Sequence, residues 1–149
     1  MQIKIVDDIF DPWQEIQQFQ SSANDMQGKY GATSIFVGTM RDFNEGDNVK
    51  GMTLEHYPGM TEKQLTAIVD EAMQKWSVID ALVVHRVGDI FPDEPIVLVA
   101  VWTSHRGDAF DSSRDIMEAL KSKAPFWKKE ILLTDAERWV GKNTDGYMS

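Results

Sequence analysis

Residues 121–129 read KSKAPFWKK, with four lysines around a proline and two aromatic side chains. The chain around them carries a formal net charge of -9 at pH 7, so that much local positive charge asks for a chemical use. Lys121 follows Met117 by one helical turn, and its alkyl stem can run along a core stripe while its ammonium passes the helix end. Pro125 stops the helix. Phe126 and Trp127 can then pin the turn to the core and hold Lys128 close to Lys121. Two ammonium groups held together lower each other's pKa, which is one route to a lysine that exchanges protons near neutral pH. A helix C-terminus carrying lysines to suit its dipole is the competing reading. These residues alone leave both open.

A second cationic group lies in TSHRGDAF, where His105 and Arg106 stand between an apolar strand and a helix. Free N–H groups and the helix dipole favour an anion there. Surface pairing of Arg106 with Asp108 or Asp111 is the alternative. Arg41, at the exit of the strand that leaves through Gly38, is either a third contributor to an anion site or an ordinary surface arginine. His56 and His85 read as structural, with His85 expected to turn away from its apolar neighbours.

Several classes of chemistry fall away. The chain has no cysteine, hence no disulfide, no thiolate metal site and no cysteine nucleophile. Three histidines on separate strands or strand ends lack metal-site spacing, so neither a metal nor a cofactor is expected. Phosphate-binding glycine loops, dinucleotide fingerprints, nucleophile elbows and zinc-protease helices are all missing. An isoelectric point near 4.7 disfavours nucleic acid and anionic membrane as partners. The N-terminal MQIKIVDDIF has no long apolar run, and the expectation is a cytoplasmic protein without signal peptide or membrane span.

The elements that must position these residues follow from periodicity. DPWQEIQQF predicts a helix capped by Asp11, begun by Pro12, with Trp13, Ile16 and Phe19 or Gln20 inward. GATSIFVGTM predicts a buried strand, and RDFNEGDNVKG a mobile loop. MTLEHYP alternates as a strand up to Pro58. Thr61 and Gln64 then form a capping box for a helix with Leu65, Ile68, Val69, Ala72, Met73 and Trp76 on its core face. ALVVHRVG and PIVLVAVWTS, separated by DIFPDE, predict an antiparallel pair whose second member is covered on both faces. A further helix from Asp108 carries Phe110, Ser113, Met117 and Leu120 on one stripe, and FWKKEIL is a short extended piece. Strands mixed with a few helices make the class α+β. With 149 residues the expectation is one domain over residues 1–140 and a polar tail over 141–149.

Together, GTMRDFNEG, LEHYPGMTEK, HRVGDI, SHRGDAF and KAPFWKKE, in that order across residues 31–130, resemble the MoaE family, the large subunits of molybdopterin synthase. The resemblance implies an α/β-hammerhead with an additional small antiparallel β-sheet subdomain. It implies an enzyme that moves two sulfurs onto cyclic pyranopterin monophosphate, making the molybdopterin dithiolene for molybdenum cofactor biosynthesis. The sulfur would arrive as a thiocarboxylate on the Gly-Gly tail of a small ubiquitin-like subunit, and two large subunits would form a homodimer within a heterotetramer. By motif position, Lys121 corresponds to the principal catalytic lysine and Lys128 to an assisting one. Thr39, Met40, Arg41, His105, Arg106, Lys121, Lys128, Lys129 and Glu130 correspond to substrate-binding positions. Glu130 could orient a lysine or be solvated. The end of the chain departs from the pattern by being short and polar, with Lys142 as a substitute for further basic residues. A binding module for an acidic tail and a partner-free phosphate-ester hydrolase using His105 as base are the alternatives.

Overall fold

The computed structural model describes residues 1–141. Beyond Gly141, the expected tail and Lys142 lie outside the described residues.

The long apolar runs form the centre. Strands β5 (Val78–Arg86) and β7 (Pro95–Thr103) pair antiparallel with Val83 opposite Val99 and Val84 opposite Leu98, as their composition predicts. Because side chains alternate along a strand, Val97, Val99 and Val101 enter one core cluster while Leu98, Ala100 and Trp102 enter another. Both faces are therefore covered. On the Trp102 side lies helix α1 (Pro12–Ser22), whose Phe19 ring stacks on Trp102 with centroids 5.0 Å apart. Asp11 caps it by accepting from the Trp13 and Gln14 N–H groups, as expected. Trp13 itself is exposed, so the buried face of α1 is Pro12, Ile16 and Phe19. The opposite face holds helices α2 (Met60–Lys75) and α3 (Arg106–Lys123).

Two strands complete this sheet in the order β1-β5-β7-β2. Strand β1 (Gln2–Val6) runs parallel to β5. QIKIV alternates polar and apolar residues, a short strand signal passed over above, and Ile3 and Ile5 pack against the core cluster under α2 and α3. Strand β2 (Ala32–Thr39) pairs with β7 as an edge. Contrary to expectation it is not buried, since an edge strand has a neighbour on one side only and leaves Ile35 and Phe36 open.

The helix ends also differ from expectation. Helix α2 begins one residue before Thr61, with the Gly59 N–H donating to the Glu62 carboxylate. Thr61 instead accepts from the Tyr57 N–H and is fully buried. Its core face is as predicted through Leu65, Ile68, Val69 and Ala72. Helix α3 begins at Arg106, and its buried stripe is Ala109, Ser112, Ser113, Ile116 and Leu120, which leaves Phe110 exposed. Ser113 lies on the stripe as expected, and its hydroxyl meets that of Ser34 on β2 at 2.8 Å.

A second sheet stands across the end of the first, built from β4 (Asp47–His56), β8 (Phe126–Leu132), β9 (Glu137–Val140) and the short β3 (Phe43–Asn44) and β6 (Gly88–Ile90). Strand β4 was expected to start later, because residues 41–51 read as loop. They fold instead into a hairpin whose turn residues Glu45 and Gly46 have φ of 52° and 81°. Two positive φ angles at the turn positions match the twist of the flanking strands. Strand β6 lies within the β5–β7 connection and pairs with β4, which ties the two sheets together. Buried Arg86 secures that connection, donating to Glu94 at 2.9 Å and to the Asp89 carbonyl at 2.6 Å.

Gly31 donates its N–H to Thr103, and a Cβ there would collide with the Ser104 carbonyl oxygen. Gly31→Ala is expected to cost about 1–3 kcal/mol in urea unfolding. Gly107 in α3 has open space around its Cα, so Gly107→Ala should be neutral or stabilising by up to about 1 kcal/mol. Equal behaviour of the two would contradict this close approach.

Candidate active site

Where the two sheets meet, a cleft of about 390 Å³ opens between the C-terminal part of α3, strand β8 and the start of β7. Met52, Leu54, Met117, Leu120 and Phe126 supply apolar wall, and Lys121, Lys128 and His85 supply the polar groups. The local sequence accounts for this geometry. Helix α3 ends where Ala124 turns to extended backbone before Pro125, and Lys121 lies in its last turn. The chain re-enters as β8, pairing Phe126 with His56 and Lys128 with Leu54. Alternation on β8 then sends Phe126, Lys128 and Glu130 to one face.

The two lysines share one electrostatic environment. The Lys121 side chain is open to solvent along part of its length. Protein packed around its ammonium still displaces much of its water and lowers its pKa, with Lys128 and then Arg41 lowering it further. Lys128 is half-buried. Partial desolvation lowers its pKa first, Glu130 opposes this, and Arg41 adds to it. Mutual repulsion of the lysines, the mechanism expected from sequence, is thus secondary to desolvation.

His85 shares a strand face with Ala81 and Val83 rather than turning away from the core. Its ring stacks on Phe126 with centroids 3.9 Å apart, and its Nδ1 lies 2.9 Å from the Arg86 carbonyl oxygen. A carbonyl only accepts, so the ring proton sits on Nδ1 and Nε2 is the bare acceptor. Burial lowers its pKa to about 4, with Lys121 and His56 contributing and the Arg86 bond opposing. Sequence reasoning missed His85 as part of the cleft because both faces of β5 are apolar.

Arg41 follows the buried Met40, whose backbone pairs with Glu94 and Asp93, and Thr39 is exposed at the end of β2. The Arg41 guanidinium lies 4.9 Å from the Phe43 ring centroid. Lys129 points elsewhere, pairing with Glu137 at 3.6 Å and lying 5.4 Å over the Trp139 ring. Glu130 is neither solvated nor bound directly to a lysine. Its carboxylate is 4% exposed and accepts from Arg138 at 3.0 Å and Asn44 at 2.9 Å.

His105 and Arg106 are not brought to this cleft. His105 caps the N-terminus of α3, sixteen residues before Lys121, or about 24 Å along the axis at 1.5 Å per residue. Both residues are exposed, and among the described residues Arg106 makes none of the ion pairs with Asp108 or Asp111 considered above. Among the described residues no cluster of three metal-ligating side chains occurs, and no helix is long and apolar enough to cross a membrane.

Residues 6–123 match the family model described as MoaE protein. The chain is 60% identical over 110 residues to a molybdopterin synthase catalytic subunit from Ralstonia nicotianae, an alignment covering 74% of this chain and 62% of that protein. A protein of the same name from Vibrio cholerae is 49% identical over 124 residues, covering 83% of this chain and 81% of the relative. Among solved structures, a molybdopterin biosynthesis MoaE protein from Burkholderia ambifaria superposes with a TM-score of 0.79 at 47% identity, covering 97% of this chain and 92% of its own.

Because His85 titrates at about 4 in the fold and at 6.5 ordinarily, the unfolded chain binds a proton in that window that the folded chain refuses. Stability is therefore expected to fall as pH drops from 6.5 towards 4, by up to about 3 kcal/mol from this group. His85→Phe should flatten that slope in urea unfolding followed from neutral pH to about pH 5. An unchanged slope in the variant would refute the assignment.

Proposed function

The chain belongs to the MoaE family, and from that premise we propose that it is the catalytic subunit of a molybdopterin synthase, a cytoplasmic sulfurtransferase in molybdenum cofactor biosynthesis. The observation that carries the reading is the convergence of Lys121 and Lys128 at one cleft, with both lysines shifted towards the neutral amine and Arg41 near enough to add to both shifts. The substrates are cyclic pyranopterin monophosphate and the thiocarboxylate at the Gly-Gly end of a small ubiquitin-like subunit. Both are anionic, and a cation-rich cleft in an acidic chain suits them. The sulfur travels with the partner, so a chain without cysteine can transfer it. We assign residues 1–140 to one α/β-hammerhead domain with the added antiparallel sheet, and 141–149 to a tail.

The roles follow from position. Arg41 binds the phosphate. Lys121, facing solvent at the cleft mouth, meets the thiocarboxylate and transfers protons as sulfur attacks and the phosphate ester opens. Lys128, whose charged form Glu130 favours against the desolvation, stabilises developing negative charge. The uncharged His85 beside them adds no competing cation. Thr39, Met40, Lys129 and Glu130 frame the site rather than fill it. His105 and Arg106, a helix-length away, can serve substrate only from a second copy, and that requirement agrees with a homodimer inside a heterotetramer. A partner-free hydrolase with His105 as base is disfavoured by the same separation.

In single turnover with cyclic pyranopterin monophosphate and thiocarboxylated small subunit, Lys121→Ala is expected to slow dithiolene formation about 10²–10⁴-fold, with the two subunits still co-purifying. Unimpaired turnover would overturn the assignment. Arg41→Ala removes a positive neighbour that lowers the pKa of both lysines. The rising limb of the saturated rate against pH should accordingly move to higher pH, and a limb that stays in place would show that these lysines do not set it.

A further inference from the structure

Arg41 stands just outside the second sheet, on an exposed stretch between β2 and β3. An exposed arginine loses affinity by wandering, because ordering its long side chain costs entropy each time an anion binds. Here the hairpin that follows it restrains it twice. The Phe43 ring lies under its guanidinium, and the Asn44 Oδ1 accepts from its Nη2 at 3.4 Å.

Asn44 is in turn fixed from behind. Its Nδ2 donates to Glu130 Oε2 at 2.9 Å. The other Glu130 oxygen accepts from Arg138 Nε at 3.0 Å, and the same arginine donates to the Asn44 carbonyl at 3.0 Å and to Asp47 at 2.7 Å. Only one orientation of the Asn44 amide satisfies both neighbours. Flipped, it would aim an oxygen at the carboxylate and an N–H group at the guanidinium.

On the reading that Arg41 binds the substrate phosphate, we infer that Asn44 is a positioning residue, which holds Arg41 in register with the cleft by linking it to the buried Glu130–Arg138 pair. The link runs from β9 through β8 to the hairpin tip, so the second sheet carries a polar wire whose free end is the anion-binding guanidinium. Asn44 itself does not touch substrate.

The test is a double-mutant cycle read as the half-saturating concentration of cyclic pyranopterin monophosphate in single turnover, with the small subunit in excess. Arg41→Ala alone reports on the underlying reading, and no change there would remove it together with the inference. Asn44→Ala alone is expected to raise the half-saturating concentration about three- to tenfold with the saturated rate little changed. In the Arg41→Ala background, Asn44→Ala should have no further effect, because its only route to the substrate is gone. Additive effects would reduce Asn44 to a structural residue, and an Asn44→Ala enzyme with unaltered half-saturation would refute positioning while leaving the Arg41 role intact. Asn44→Leu, which keeps most of the volume and removes both polar contacts, repeats the cycle should the alanine variant fold poorly.

Discussion

Partial desolvation of two ammonium groups at the seam between two sheets is the constraint on which the rest of this structure turns. An ammonium gives up water only at a cost, and a fold tolerates that cost where neighbouring charges and a shaped cavity offset it. Lys121 sits at the end of α3 and Lys128 at the start of β8, and the turn at Ala124 and Pro125 decides that both face one cleft. The first sheet supplies rigidity, being apolar on both faces. The second contributes Lys128 and Phe126 to the cleft.

The same seam explains the placement of the negative charges. Glu130 is nearly inaccessible, and an unpaired carboxylate there would be strongly unfavourable. Arg138 neutralises it and Asn44 donates to its second oxygen, and in doing so they fasten β9 and the β3–β4 hairpin to the sheet. Asp47 and Glu130 together hold the Arg138 guanidinium charged, raising its pKa. After desolvation, the largest influence on Lys128 is the opposite charge of Glu130, and on Lys121 it is the like charge of Lys128. The two lysines are thereby differentiated by their neighbours.

Features local in sequence were legible in it. The cap at Asp11, the apolar period of α2, the doubly buried β7 and the proximity of Lys121 to Lys128 each depend on neighbours within a few residues or on a strong pattern. Features created by distant pairing were not. The parallel register of β1 against β5 is set by distant pairing, although the alternation of QIKIV is itself local. The loop at residues 41–51 is a hairpin because β8 pairs with β4. The Asn44–Glu130 and Arg138–Asp47 bonds span 86 and 91 positions, which no local reading detects. His105 and Arg106 form an anion-favouring motif that sequence can recognise. Only the length of α3 reveals that it cannot meet Lys121 within one chain.

The most direct measurement of the central claim is the titration of Lys121 and Lys128 themselves, by carbon-detected NMR of lysine side chains labelled next to the ammonium. Both should titrate below the exposed lysines of the same chain, and Glu130→Gln should lower Lys128 further while leaving the lysines outside the cleft unchanged. Midpoints indistinguishable from those of the exposed lysines would contradict a desolvated cationic cleft, and KSKAPFWKK would then be a helix end suited to its dipole.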